Sequence, residues 1–213
     1  MGQPDFGNYL RKLLALSNAG HGGYAGLRDD LRRDGFDIER NLLGWMTDAA
    51  VFVRKDHDGT LGGALVVQSG DADSVYYGTL KLGRYLFKSG ADVRDARVPG
   101  SDVSFTLRLP GMRKKVVVAE AGKRMVVAYG PESARAAISV GGLGGEASYE
   151  AARAHLGVDW GPAAYVDTQR LAAVLGPRAF GQALNVVKPL RYLIVGGRND
   201  GKRLRSHTEL VVR

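Results

Sequence analysis

The side chains best suited to chemistry are few and far apart. Four histidines, His21, His57, His155 and His207, are spread over 213 residues, with no second ligand at helical or hairpin spacing. A transition-metal site needs several such donors converging, so no metal or cofactor is expected. A serine nucleophile on a strand-to-helix elbow carries a G-x-S-x-G pattern, which this chain lacks. Asp56, Asp58, Asp71 and Asp73 are acidic enough for calcium, but the twelve-residue loop with its terminal Glu is missing; turn and cap roles account for all of them. The glycines of Gly141 to Gly145 follow a helical stretch and have no Lys-Ser or Lys-Thr after them. They read as a connector, because a phosphate loop follows a strand.

Two binding chemistries remain. Trp45, Phe52, Tyr76, Tyr77 and Phe87 could line an apolar pocket between a sheet and its helices, with filled core as the competing reading. Phe105 and Tyr129 lie near Arg108, Lys114, Lys115 and Arg124, and aromatic and basic residues interleaved on a sheet can bind single-stranded nucleic acid. Plain strand alternation produces the same pattern.

The elements that would position these residues are legible from period and punctuation. Gly35 to Ser69 is central. Asp37 is expected to cap a short helix with Ile38, Leu42 and Leu43 inward and Arg40 and Asn41 in solvent. Gly44 suits a left-handed stop. Ala49–Val53 and Leu61–Gln68 read as strands joined at Asp58-Gly59, the second covered on both faces. Before them, Phe6 to Leu14 and Tyr24 to Arg33 are amphipathic helices separated by the Gly20–Gly23 stretch. After them, Asp71 to Ser89 is a helix stopped by Gly90. Strands follow at 92–98, 103–109, 116–119 and 125–129, and Gly130-Pro131-Glu132 opens another helix. Short helices at 149–156, 169–175 and 180–187, a strand at 163–167 and a final hairpin turning at Asn199-Asp200-Gly201 complete the chain. The expected class is α+β: roughly eight strands, mainly antiparallel, with helices packed on one side. Residues 1–213 read as one domain, loosely subdivided near 141–148.

Gly35, Asp37, Glu39, Trp45 and Asp48, followed later by Val126, Gly130, Pro131 and Glu132, form a pattern that resembles a bacterial family. That family is domain of unknown function number 3352, common in actinobacteria. The segments Gly26–Val53, Gly122–Val140, Gly145–Leu156 and Ala163–Gly176 carry the likeness in that order. The resemblance implies a cell-envelope setting, membrane-anchored or secreted through a segment absent here. It brings no catalytic or ligand residue with it.

Composition narrows the classes. Hydrophobic content of 45% and charged content of 24% are those of a soluble globular chain. No apolar run approaches a membrane span, and no basic leader precedes an apolar stretch. With no cysteine, disulfides and thiol chemistry are excluded. The net charge of +8 permits attraction to anionic partners, but the basic residues are spread along the whole chain. The leading expectation is a non-enzymatic domain that binds a protein partner or an apolar small molecule. A basic binder of nucleic acid or an anionic surface is the alternative, and a hydrolase with an unrecognised site the second.

Overall fold

A computed structural model describes residues 6–17, 23–139, 147–157, 159–175, 189–199 and 204–212. The expected loops at 20–22 and 141–145, the helix at 180–187 and the hairpin tip at 200–201 lie outside them. By its contacts the chain divides into two compact units, where the sequence reads as one domain. The larger comprises residues 3–52 and 62–139; the smaller comprises 1–2, 53–61 and 140–213.

In the larger unit, helices α1 (Phe6–Ser17) and α2 (Gly23–Arg33) lead into a π-helical turn, Glu39–Leu43. Strands β1 (Asp48–Lys55) and β2 (Leu61–Gln68), helix α3 (Ala72–Lys88), strands β3 (Asp92–Asp95), β4 (Ser104–Arg108), β5 (Val116–Ala121) and β6 (Arg124–Tyr129), and helix α4 (Pro131–Ile138) follow. The strands form one antiparallel sheet ordered β1-β2-β6-β5-β4-β3. β2, β5 and β6 are its middle, and their near-continuous apolar runs reflect burial on both faces. Val67, Phe105, Val118 and Met125 face α3 and the π turn; Ala64, Val117, Ala119, Val126 and Ala128 face α4.

Helices therefore cover both faces of this sheet, not one. α4 was hard to assign to a face from sequence because its contact is small on small. Ala134 and Ala137 pack against the alanines and valines of the strands. Its start is as expected, with Pro131 in the first turn after Gly130, whose φ is 97°.

The π turn differs from the expected short helix. Gly44 N–H reaches back five residues to Glu39 O at 2.7 Å, the wide ring that defines a π turn. Gly44 has φ −69° and is not left-handed. Glycine is needed there for space, since a Cβ would lie 2.7 Å from Glu39 O. The wider turn also rotates Asn41 inward, so it is buried instead of solvated. Gly7 of α1 approaches the same turn so closely that a Cβ would overlap the Leu43 carbonyl. Asp37 acts as expected: its Oδ1 accepts from Glu39 N–H at 3.1 Å and Arg40 N–H at 3.2 Å.

In the smaller unit, α5 (Ala147–Leu156), β7 (Gly161–Asp167), α6 (Thr168–Leu175), β8 (Leu190–Asn199) and β9 (Leu204–Val212) build an antiparallel sheet ordered β7-β8-β9. Ala152 and Leu156 of α5 pack on Tyr192 and Ile194, with Trp160, Tyr165 and Val211 around them. The α+β, mainly antiparallel class holds for both units.

Candidate ligand groove

Of the predicted ligand residues, Phe87 lines a groove, and it does so because of how α3 ends. Asp71 caps its start, accepting from Asp73 N–H at 3.2 Å and Ser74 N–H at 3.1 Å. At the other end Gly90 takes φ 82°, with Gly90 N–H bonded to Phe87 O at 3.1 Å and Ala91 N–H to Leu86 O at 3.1 Å. This pair of bonds closes the helix and reverses the chain directly into β3. Leu80, Gly83, Arg84 and Phe87, spaced three, one and three apart, thus share one side of α3 facing β3 and β4.

Between them lies a cavity of about 390 Å³, lined on the sheet side by Val93, Asp95, Val103, Ser104 and Phe105. Phe105 is its floor. Gly83 sits over the ring, where a Cβ would come within 3.0 Å of two ring carbons. Asp95 pairs with Phe105 in the β3–β4 register, so its carboxylate stands at the rim beside the ring. Arg84 is the other charge lining the groove.

The five residues expected to share a pocket do not converge. Trp45 is core, 9% exposed, and its indole N–H donates to Asn41 O at 2.8 Å. Phe52 packs with the cluster on the α4 face, so the sheet separates it from Trp45. Tyr76 and Tyr77 form an edge-to-face pair at 5.3 Å and are 37% and 57% exposed, since α3 turns Val75, Gly78 and Thr79 inward instead. Phe87, 68% exposed, is the member that lines the groove. Arg84, Asp95 and Val103 were missed, and Phe105 was read only as part of a nucleic-acid surface. The spacing of 80, 83, 84 and 87 was the available signal.

Phe105 and Tyr129 do not form a stacking platform either. Phe105 is buried; Tyr129 Oη accepts from Lys114 N–H at 3.3 Å. Arg124 is committed to the end of α4, donating to Ala137 O at 3.5 Å and Ile138 O at 3.3 Å.

His57 lies in the β1–β2 turn and His155 near Tyr192 at 6.4 Å, while His21 is outside the described residues. His207, expected to be solvated, is partly buried. Its Nε2 lies 2.8 Å from Glu209 Oε1, and its ring centroid is 5.3 Å from that of Trp160. Among the described residues no three His, Cys, Asp or Glu groups are placed to hold a metal ion. A second cavity, about 510 Å³ in the smaller unit, is lined by Ser148, Asp167, Gln169, Arg191 and Val212. Its carboxylate is already engaged, because Asp167 Oδ1 caps α6 through Gln169 N–H at 3.1 Å and Arg170 N–H at 2.9 Å.

Two glutamates outside the groove have contrasting electrostatics. Arg11 Nε donates to Glu39 Oε2 at 2.5 Å and Tyr24 Oη to Glu39 Oε1 at 2.6 Å. Burial alone would raise the Glu39 carboxyl, but these two bonds outweigh it and hold it below the usual range. The Tyr24 phenol, partly buried and donating to that carboxylate, is pushed up to about 12. Glu120 is 2% exposed and its Oε2 has no partner. Burial, and then Asp102 nearby, raise its carboxyl despite backbone N–H groups of Gly122, Asp102 and Val103.

No family model, curated protein or solved structure matches the chain.

Proposed function

We propose that the chain is a non-enzymatic binding domain whose ligand site is the groove between α3 and β3–β4. The observation that carries this reading is the groove itself: an apolar floor, an exposed aromatic wall and two charges at the rim of about 390 Å³. Small-molecule sites have this make-up, and the groove lies at the small end of their range of roughly 300–1,000 Å³. The described arginines favour it over a nucleic-acid surface. Arg11, Arg28, Arg32, Arg33, Arg54 and Arg94 each pair with a carboxylate, leaving less free charge for phosphates.

Following the resemblance to domain of unknown function 3352, we also place the protein at a bacterial cell envelope. No described helix is long and apolar enough to cross a membrane, so anchoring or export would come from another segment. Fractionation of the source cells tests this; recovery only in the cytosol counts against it.

The groove is tested with the neutral fluorescent probe N-phenyl-1-naphthylamine. Its fluorescence should rise with the parent protein and fall back with Val103→Phe or Leu80→Trp, each checked by circular dichroism for a retained fold. Undiminished binding by both folded variants would remove the groove as the site.

A further inference from the structure

Among the described residues, the charges at the groove rim have no partners. The side chains of Arg84 and Asp95 make no hydrogen bond or ion pair among the described residues. Their neighbours do: Arg94 Nε lies 3.1 Å from Asp92 Oδ1, and Arg108 Nε 4.0 Å from Asp92 Oδ2. Asp92 thus engages both arginines of the β3–β4 edge, and one cation and one anion line the groove. Leu80, Val93, Val103 and Phe105 line it with them, together with the exposed Phe87.

Building on the groove reading above, we propose that its ligand is a small dipolar molecule with an apolar body. The class is an apolar amino acid or dipeptide, its ammonium at Asp95, its carboxylate at Arg84 and its side chain against Phe87, Leu80 and Val93. A fully apolar ligand would desolvate the rim charges without replacing their water, which is costly. A small polar zwitterion would leave the exposed Phe87 ring uncovered. Guanidinium suits a carboxylate because it can offer two parallel donors, and the exposed Phe87 ring accepts an aromatic or branched body. A cavity of about 390 Å³ has room for a single amino acid or a short dipeptide.

The test is calorimetric titration of the whole chain with L-phenylalanine, N-acetyl-L-phenylalanine and L-phenylalaninamide. L-phenylalanine should bind with Kd below about 1 mM. Removing either ligand charge should weaken binding about tenfold, the size of one lost charge-assisted hydrogen bond. Loss of the ammonium should then cost nothing in Asp95→Asn, and loss of the carboxylate nothing in Arg84→Gln. Equal binding of all three compounds, or charge preferences that persist in both variants, would overturn the proposal. If L-phenylalanine fails to bind while the neutral naphthylamine probe still does, the ligand class is wrong and the groove stands. If neither binds, the groove reading falls as well.

Discussion

Glu39 and Glu120 are the same residue in two corners of one unit, and they end in opposite states. Glu39 is the less buried, yet it is surrounded: Arg11 from α1 and Tyr24 from α2 each give it a short hydrogen bond. Glu120 is almost fully enclosed and has one oxygen without a donor. Burial pushes both carboxyls toward the neutral form, and the neighbouring charge decides the outcome: the Arg11 guanidinium beside Glu39, the Asp102 carboxylate beside Glu120. The corner at Glu39 is a clasp, in which one anion holds two helices onto the π turn. The corner at Glu120 is a weak point in an otherwise apolar sheet.

The largest test of the clasp corner is Trp45→Ala. This side chain fills the space under α3 and bonds the π turn, so its removal should cost about 3–5 kcal/mol. A urea midpoint close to that of the parent would show that the corner does not depend on it. Next is Glu39→Leu, which strips Arg11 and Tyr24 of their acceptor. Both partners are partly exposed, so the expected loss is about 1–2 kcal/mol. No loss would mean the clasp is decorative and the contrast with Glu120 is empty.

Glu120→Gln should act the other way, stabilising at pH 8 by on the order of 1 kcal/mol because no buried charge has to be avoided. The sign in pH separates the two corners. The folded-state pKa of Glu120 is raised above 4.5, so its contribution to stability is fully present below that value and is lost as pH rises through the raised value. That decline should vanish in Glu120→Gln. The Glu39 pKa is lowered, so its contribution is present above 4.5 and lost as pH falls through the lower value. Urea midpoints from pH 3 to pH 8 read both; identical profiles for parent and Glu120→Gln would refute the assignment. The smallest effect is spectroscopic. Tyr24 should ionise at about 12, and Glu39→Gln should bring it part of the way down, burial remaining as the larger cause. An unchanged ultraviolet titration in that variant would show that Glu39 has no part in it.

Much of the fold was legible where a single period governed a segment. The alternation at 103–109 and the cap and stop of α3 needed only neighbours in sequence. The π turn was not legible, because apolar spacing reports a period near 3.6 and a five-residue reach leaves no distinct trace. Asn41 accordingly read as solvated, and Gly44 as left-handed. The groove was illegible for a different reason. Its walls come from α3, β3 and the start of β4, and Arg84 looks like any outward charge until Asp95 and Phe105 are placed across from it. The pocket expected from Trp45, Phe52, Tyr76, Tyr77 and Phe87 grouped aromatics by kind, whereas the sheet and α3 sort them by face.

The π turn also makes the larger unit sensitive to chain length as well as to residue identity. Residues 39–43 hold one more residue than an α-helical turn would use. A chain shortened by one there would close the ordinary ring, and everything after it would arrive rotated by about 100°. Trp45 would then leave the space beneath α3, and β1 would start out of phase with β2. Substitutions along 39–43 leave that phase untouched, whereas a one-residue deletion shifts it. Such a deletion should lower Tm far more than alanine at exposed Arg40, and equal effects would show that the extra residue carries no positional information.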